Sequence, residues 1–194
     1  MKPAAFLDRD GVIVKYVADP IKLSDIHLFD FSAQAVKILN GLNMHVIVIT
    51  NQPQIAKGFT TEENVKTMNK KMVDELKAKG AEIDAVYFCP HHPDKGFPGE
   101  RSEYKIDCVC RKPKTGMLEW AKERFDIDMH NSFIIGDSTV DIKTGENAKE
   151  NYPGFRTILV KTGLAGKDGK YGVSPDFTSE NLLEAAKLIK PLLG

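Results

Sequence analysis

The segment with the clearest chemical potential runs from Ala4 to Gly11. A short apolar run beginning at Ala4 ends on two carboxylates, Asp8 and Asp10, and Gly11 allows a sharp turn directly after them. Residues two apart in a strand point to the same side, so both carboxylates start out facing one way unless the turn re-aims the second. Two carboxylates this close repel each other unless a cation or a shared proton relieves them. The pair therefore indicates a metal site, with solvated acids at a strand end as the alternative.

Alternating strand-like and helical patterns surround this pair and must position it. The strands are predicted at 4–7, 45–50, 83–88, 132–135 and 156–160, and the helices at 32–42, 60–79, 115–125, 141–149 and 181–193. Ser32 is available as an N-cap, a Thr60–Glu63 capping box is possible, and Gly80 should end the second helix. Strands that alternate with helices predict an α/β fold, in which a mostly parallel sheet carries helices on both faces.

Polar residues follow three of the predicted strands, and the topology should bring them together. They are Asp8–Asp10, Thr50–Gln52 and Gly136–Ser138. Parallel sheets bind ligands beyond the carboxyl ends of their strands, so these three sets should share one crevice. Carboxylate oxygens suit Mg²⁺, and a Thr hydroxyl with a nearby Lys suits the oxygens of a phosphoryl group. Asp141 either supports these groups or stabilises the start of a helix.

Length and composition favour one globular domain spanning 1–194. The chain has 194 residues, 42% of them hydrophobic, and a formal net charge of zero. Balanced, interspersed charge gives no footprint for nucleic acid or an anionic membrane, and no apolar run reaches the roughly 20 residues of a membrane span. Met1-Lys2-Pro3 leads straight into a strand, with no room for a signal peptide. We therefore expect a cytoplasmic protein, and a monomer, that binds neither nucleic acid nor membrane.

A long irregular segment, about 89–113, contains all three cysteines of the chain. Cys89 and His91 stand at one end of it, and Cys108 and Cys110 at the other. Structural zinc is four-coordinate and accepts this Cys₃His set, so one ion would close the segment into an ordered loop. The alternatives are that the cysteines are simply buried, or that His92 replaces His91 as a ligand.

Four motifs, in order and spacing, resemble those of the haloacid dehalogenase-like phosphatases. They are Asp8-x-Asp10-Gly11-Val12, Thr50-Asn51-Gln52, Lys112 and Gly136-Asp137-(x)₃-Asp141. The resemblance covers essentially the whole chain. It implies a three-layer α/β/α, Rossmann-like parallel sheet with a minimal cap, to which the zinc-binding loop is added.

The same resemblance implies a role for each motif residue. Asp8 would be the nucleophile that forms an aspartyl-phosphate, and Asp10 would be the general acid and base. Thr50 and Lys112 would stabilise the charge on the transferring phosphoryl group. Mg²⁺ would be held by Asp8, by Asp137 and by the backbone carbonyl of Asp10.

The Cys-x-His…Cys-x-Cys-Arg-Lys-Pro pattern narrows the resemblance. It is similar to the D-glycero-D-manno-heptose 1,7-bisphosphate phosphatases and to the related histidinol-phosphate phosphatases. The first group implies a phosphorylated sugar that loses its 7-phosphate, and the second implies an amino alcohol phosphate. A non-catalytic phosphate-binding module is a third possibility, against which the presence of both Asp8 and Asp10 argues.

Substrate contacts are also implied by this resemblance. The residues expected to touch the substrate are Tyr16, Asp19, Asn51, Gln52 and Arg111. Arg111 could grip a second, distal phosphate through its planar guanidinium. The chain departs from the common pattern at Pro53-Gln54, where Ser-Gly is usual, and this changes the loop that borders the distal part of the substrate.

Overall fold

Six parallel strands form one sheet at the centre of the protein. The structure is a computed structural model, and it describes residues 1–193. The strands are β1 (Ala4–Leu7), β2 (His45–Asn51), β3 (Ala85–Cys89), β4 (Phe133–Gly136), β5 (Arg156–Val160) and β6 (Phe177–Ser179). Their order across the sheet is β3-β2-β1-β4-β5-β6. The chain adds β2 and β3 on one side of β1, and then β4, β5 and β6 on the other side. The helices are α1 (Ser32–Gly41), α2 (Glu62–Ala78), α3 (Gly116–Phe125), α4 (Thr139–Lys149) and α5 (Leu182–Ile189).

Two apolar cores, one on each face of the sheet, confirm the predicted three-layer α/β/α arrangement. Alternate residues of β1 contribute to opposite cores: Leu7 packs in the core that includes residues of α1, α2 and α5, and Phe6 in the core that includes residues of α3. All four residues of β1 are buried, as expected for a strand covered on both faces.

The register places the carboxyl ends of the three central strands side by side. Leu7 pairs with Val48 of β2 and with Ile135 of β4. The residues that follow on each strand, including Asp8, Thr50 and Asp137, therefore emerge at the same edge of the sheet. The strand-end prediction is confirmed in this respect.

Two predicted helix caps are wrong for local reasons. Ser32 is the first residue of α1 rather than its N-cap, because its hydroxyl donates to the backbone oxygen of Ile13 at 2.7 Å. The cap of α2 is Thr61, whose side chain accepts from the Asn64 amide at 3.1 Å, so the Thr60–Glu63 capping box does not form. The predicted stop at Gly80 is confirmed, with Gly80 at φ 75° just past the helix.

Other differences concern one short strand and the end of the closing helix. The strand β6 was not predicted, because it is only three residues long and pairs along one edge with β5. The closing helix ends at Ile189 and continues as a 3₁₀ turn, Lys190–Leu192. Between β3 and α3 the described chain contains only one short 3₁₀ turn, Ser102–Tyr104, as the lack of periodicity there predicted. Among the described helices, none combines the length and the apolar character that crossing a membrane requires.

Candidate active site

The carboxyl edge of the sheet opens into a cavity of about 270 Å³. Its lining includes most of the predicted site residues, namely Asp8, Asp10, Tyr16, Asp19, Thr50, Asn51, Arg111, Lys112 and Asp137. Gln52 does not line it. The Gln52 side chain is fully buried behind Asp10, to which it donates a hydrogen bond at 3.0 Å, and it also donates to the Thr50 hydroxyl at 2.9 Å.

Lys112 joins two carboxylates at the base of this cavity. Its ammonium nitrogen lies 2.8 Å from Asp8 and 2.5 Å from Asp141, and it also donates to the backbone oxygen of Ile49 at 3.0 Å. Burial opposes the charged form of Lys112, but the two carboxylates outweigh it and raise the pKa of this ammonium group. Lys112 is therefore a permanent cation beside Asp8.

Asn51 holds the backbone of Lys112 in place. Its side-chain amide donates to the Lys112 carbonyl at 3.1 Å, and its side-chain oxygen accepts from the Lys112 amide at 3.0 Å. This two-point contact spans 61 positions of the chain and links the end of β2 to the segment that follows the cysteines. Asn51 thus positions the lysine, in addition to lining the cavity.

Three carboxylates lie close enough together to share a cation. Oxygens of Asp8, Asp137 and Asp141 are all within 4.8 Å of one another. Without a metal, burial first and the neighbouring carboxylates second raise the pKa of Asp8 to about 7 and of Asp137 to about 8. A cluster of buried hard oxygen donors with this mutual repulsion fits Mg²⁺. The Asp10 carboxylate lies outside the cluster, which is compatible with the predicted role of its backbone carbonyl as the metal ligand.

Asp141 fulfils both of its predicted roles, because it supports the site and also stabilises the start of a helix. One oxygen of Asp141 pairs with Lys112, and the other accepts from the Ser138 hydroxyl at 2.5 Å. Ser138 and Asp141 form the capping box at the start of α4. The same carboxylate therefore fixes the helix start and faces the candidate metal site.

Asp10 is held by Arg9, for which no role was predicted. Arg9 is fully buried, and its guanidinium lies 2.9 Å from a carboxylate oxygen of Asp10. The same guanidinium donates to Gln52 at 2.9 Å and to Asn69 at 2.8 Å. The only sign of this role in the sequence is an arginine between two aspartates at a strand end. A charged residue at such a position is more simply interpreted as solvent-exposed.

The loop after β5 also contributes in a way that was not predicted. The backbone amide of Leu164 donates to the Asp137 carboxylate at 2.6 Å, and Gly163 at φ 60° packs against the same oxygen. Further along, Asp168 accepts from the amide and hydroxyl of Thr139 at 2.7 and 2.6 Å. A cluster of glycines between residues 163 and 172 was the only sequence signal for a tightly shaped loop here.

Tyr16 and Asp19 lie on the rim, where the Pro53-Gln54 departure has a visible consequence. The Gln54 amide donates to the Asp19 carboxylate at 3.2 Å, and the Lys57 ammonium lies 3.4 Å from the same oxygen. The departure thus connects the loop after β2 to the loop after β1. Tyr16 is 45% exposed and available to a ligand.

Cys89, His91, Cys108 and Cys110 converge as predicted. Donor atoms of all four lie within 4.8 Å of one another. Sulfur–sulfur distances are 3.5 Å from Cys89 to Cys108 and 3.4 Å from Cys110 to Cys108, and His91 Nδ1 lies 3.3 Å from the Cys110 sulfur. Hydrogen bonds from Cys89 and His91 lower the pKa of the Cys110 thiol to about 5 against the opposing effect of burial. This donor set fits a four-coordinate zinc ion.

The cysteine cluster adjoins the cavity through Arg111. This residue follows Cys110 directly, lines the cavity, and donates to the backbone oxygen of His91 at 2.9 Å. His92, the alternative zinc ligand, instead turns its Nδ1 to the amide of Asp94 at 3.2 Å. The geometry favours His91 as the fourth donor.

Comparisons with known proteins agree with this geometry. A family model described as HAD-hydrolase-like matches residues 109–185. The chain is 37% identical to the D-glycero-alpha-D-manno-heptose-1,7-bisphosphate 7-phosphatase of Photorhabdus laumondii, with 96% of each chain covered. It is 35% identical to the D-glycero-beta-D-manno-heptose-1,7-bisphosphate 7-phosphatase of Pasteurella multocida, with 99% of each chain covered. It also resembles the crystal structure of D,D-heptose 1,7-bisphosphate phosphatase from B. bronchiseptica complexed with magnesium and phosphate, at a TM-score of 0.81 and 28% identity over 99% of both chains.

Proposed function

The chain belongs to the heptose-1,7-bisphosphate phosphatase family of haloacid dehalogenase-like hydrolases, and from this premise we propose that it removes the 7-phosphate of a D-glycero-D-manno-heptose 1,7-bisphosphate. The observation that carries the proposal is the pairing of Asp8 with Lys112 at the base of a cavity that also contains Asp10 and Asp137. This arrangement supplies a nucleophile, a cation for phosphate oxygens, a candidate acid and a metal ligand in one space.

Asp8 is the proposed nucleophile. One of its carboxylate oxygens attacks phosphorus, the bond from phosphorus to the sugar oxygen breaks, and an aspartyl-phosphate forms. Lys112 keeps a positive charge 2.8 Å from Asp8, which favours the ionised carboxylate and attracts the anionic phosphoryl group. When bound, Mg²⁺ supplies charge neutralisation between the carboxylates and the phosphate.

Asp10 is the proposed acid and base. Its carboxyl proton passes to the sugar oxygen as that oxygen leaves, and the resulting carboxylate then takes a proton from the water that attacks phosphorus. This second attack breaks the bond between phosphorus and the Asp8 oxygen and releases inorganic phosphate. Arg9 and Gln52 hold the Asp10 carboxylate at the cavity wall between these steps.

Thr50 and Asn51 complete the proposed phosphate site. Thr50 is buried beside the cavity, and the Gln52 amide donates to its hydroxyl oxygen, so the Thr50 proton is left to donate to a phosphoryl oxygen. Asn51 fixes the backbone of Lys112 and so keeps its ammonium group beside Asp8. Tyr16, Asp19 and Arg111 are proposed substrate contacts on the rim.

The cysteine cluster is proposed as a structural zinc site. All four ligand positions are filled by protein, so no position remains for substrate. The ion would fix the segment that carries Arg111 and Lys112 and thereby shape the cavity. That the protein is a cytoplasmic monomer stays a prediction, with which the proposed use of all three cysteines as zinc ligands is compatible.

A substrate panel tests the proposed function. Phosphate release from both anomers of heptose 1,7-bisphosphate is compared with release from histidinol phosphate, using purified protein with Mg²⁺. Both anomers are needed because similar proteins are named for each of them. We expect a clear preference for a heptose bisphosphate, and we expect Asp8→Asn to abolish turnover while thermal unfolding shows that the fold is retained.

Three results would contradict the proposal. A preference for histidinol phosphate would move the chain to the related amino alcohol phosphatases. Complete inactivity of the magnesium-loaded protein across a broad panel of phosphate esters would indicate a binding module. Appreciable turnover by Asp8→Asn would exclude Asp8 as the nucleophile.

A further inference from the structure

Besides Lys112, which pairs with Asp8 and Asp141, two cations stand at the boundary between the active cavity and a neighbouring one. Arg111 and Lys170 both line the active cavity, and both also line an adjoining cavity of about 310 Å³. Arg111 follows the cysteine cluster, whereas Lys170 belongs to the loop between β5 and β6. Residues from two distant parts of the chain therefore place positive charge at the same boundary.

The loop that carries Lys170 is anchored on both sides of this residue. On one side, Asp168 accepts from the amide and hydroxyl of Thr139, at 2.7 and 2.6 Å. On the other side, the amide of Tyr171 donates to the Thr139 hydroxyl oxygen at 3.2 Å. Thr139 begins α4, next to the strand end that carries Asp137. The backbone of Lys170 is thus fixed relative to the catalytic edge, which reduces the entropy lost when a ligand binds.

With a divalent cation bound, the charges of the carboxylate cluster and Lys112 would balance. The three carboxylates of Asp8, Asp137 and Asp141 carry −3, which the Lys112 ammonium and one divalent cation would neutralise. On the rim, Lys57 lies 3.4 Å from the Asp19 carboxylate. Lys112, the divalent cation and Lys57 are therefore already paired with carboxylates and are not free to bind a second phosphate.

Arg111 and Lys170 are the remaining cations of the cavity lining, apart from the titratable ring of His92. Within residues 1–193, no carboxylate oxygen lies within 4.0 Å of either group. The nearby Asp168 carboxylate is engaged by Thr139 through both of its oxygens. A second phosphate group, with a charge of about −2 near neutral pH, matches two positive charges in number and sign.

We propose that Lys170 is a specificity-determining residue that binds, together with Arg111, the second phosphate of the bisphosphate substrate, the one that is not removed. This inference rests on the proposed function, because it requires a substrate with two phosphates. Lys170 supplies a compact point charge and Arg111 a planar fork, so the pair can contact different oxygens of one phosphate group. The pair selects bisphosphates over monophosphates and takes no part in the transfer step.

The test compares Lys170→Ala with Lys167→Ala. Lys167 lies on the same loop, is exposed and does not line the cavity. Its variant therefore removes the same charge from the loop at a position away from the proposed phosphate contact. Steady-state kinetics are measured on heptose 1,7-bisphosphate and on two monophosphates, heptose 7-phosphate and p-nitrophenyl phosphate. We expect Lys170→Ala to lower kcat/KM for the bisphosphate about tenfold, mainly through KM, as loss of one charged hydrogen bond implies.

The monophosphates distinguish a specific loss from a general structural effect, because a general effect would lower kcat/KM for them as well. Lys170→Ala should leave kcat/KM for both monophosphates unchanged, Lys167→Ala should leave all three substrates unchanged, and Lys170→Arg should recover most of the bisphosphate activity. An equal loss on all substrates, or no loss on the bisphosphate, would overturn the assignment of Lys170. If the unaltered protein itself does not prefer the bisphosphate, the proposed function fails, and that outcome is separate from a failure of Lys170 alone.

Discussion

The Arg9 guanidinium donates hydrogen bonds to both carboxylate oxygens of Asp10, the residue that follows it in the chain. The Nε atom lies 3.2 and 3.1 Å from the two oxygens, and one terminal nitrogen lies 3.1 and 2.9 Å from them. The remaining contacts of Arg9 reach Gln52, just after β2, and Asn69, on α2. A buried cation that is neighbour to both aspartates in sequence thus connects the second one to the body of the fold.

Replacing Arg9 should damage both stability and turnover. Arg9→Met leaves Asp10 with an unpaired charge and removes the partners of the Gln52 and Asn69 side-chain oxygens, so we expect a loss of about 3 kcal/mol or more in the free energy of unfolding. We expect kcat to fall by about 10² or more, because general acid–base catalysis contributes on that order and requires a positioned carboxyl. Urea unfolding and steady-state kinetics measure the two effects.

Two further variants separate charge from geometry at this position. Arg9→Lys keeps the charge but loses the planar fork, so its activity should lie between those of Arg9→Met and the unaltered protein. Arg124→Met, on the exposed surface of α3, should change neither property. An unchanged kcat in a folded Arg9→Met variant would show that Asp10 is positioned by other groups.

Removal of one cysteine should release the zinc ion and loosen the loop it closes. Cys108→Ser leaves three donors of the four that converge within 4.8 Å, and binding of a structural metal is coupled to local folding. We expect the zinc content to fall from about one per chain toward zero, and proteolysis to become faster within 89–113. Elemental analysis and limited proteolysis measure these changes.

The two adjacent histidines provide a matched control for the zinc site. His91→Ala should lose zinc, because His91 Nδ1 lies 3.3 Å from the Cys110 sulfur. His92→Ala should retain it, because His92 Nδ1 faces the Asp94 amide instead. Loss of zinc from His92→Ala but not from His91→Ala would make His92 the ligand. Absence of zinc from the purified, unaltered protein would refute the site.

The magnesium site should make stability depend on pH. In the metal-free protein, burial raises the pKa of Asp8 to about 7 and of Asp137 to about 8, far above the unfolded value of 3.8. A carboxyl group with a raised folded pKa favours folding below its unfolded pKa, and this contribution is lost as the pH rises through the folded pKa. The melting temperature of metal-free protein should therefore fall between about pH 4 and pH 8.

Added Mg²⁺ should reverse this loss, and more strongly at high pH. The ion binds the deprotonated carboxylates of the folded state, and a concentration 100 times its Kd adds about 2.7 kcal/mol of stability. Thermal scans with and without Mg²⁺ should show a larger shift near pH 8 than near pH 5. The shift should shrink in Asp137→Asn and persist in Asp74→Asn, whose side chain is exposed on α2. A shift of equal size at both pH values would contradict the assignment.

The elements that position the site were predictable because they follow local rules. The strands predicted at 4–7 and 156–160 coincide with β1 and β5, and the continuous apolar run of β1 is typical of a strand buried on both faces. Parallel topology then places Asp8, Thr50 and Asp137 at one edge without any knowledge of side-chain contacts. The Cys₃His cluster was predictable because all three cysteines of the chain lie in one segment that also contains His91, and this donor set suits zinc.

The unpredicted parts depend on contacts between distant segments. Arg9 reaches Asn69, 60 positions away, and Leu164 reaches Asp137 across 27 positions. Neither contact leaves a periodic pattern, because each depends on the path of a loop rather than on an element. The helix caps differed from prediction because a Ser or Thr side chain can cap a helix or bond elsewhere: Ser32 donates to Ile13 instead of capping α1, and Thr61 rather than its neighbour Thr60 caps α2.

Gly163 offers a test of how the loop after β5 shapes the metal site. It has φ 60°, and a Cβ added there would lie 2.0 Å from a carboxylate oxygen of Asp137 and 2.8 Å from the Cα of Gly11. Gly169, on the same loop, has φ 63°, and a Cβ added there would meet no atom within 4 Å. The two positions share the backbone strain of an L residue at positive φ and differ in what surrounds them.

Gly163→Ala should therefore weaken Mg²⁺ binding, whereas Gly169→Ala should not. Both variants carry the backbone cost of about 1 kcal/mol, but only the first displaces the Asp137 carboxylate from its 2.6 Å contact with the Leu164 amide. We expect the Kd for Mg²⁺ to rise about tenfold or more in Gly163→Ala and to stay unchanged in Gly169→Ala, with metal titration by calorimetry as the measurement. Equal Mg²⁺ affinities in the two folded variants would show that the loop does not position Asp137 for the metal, and that the carboxylates alone define the metal site.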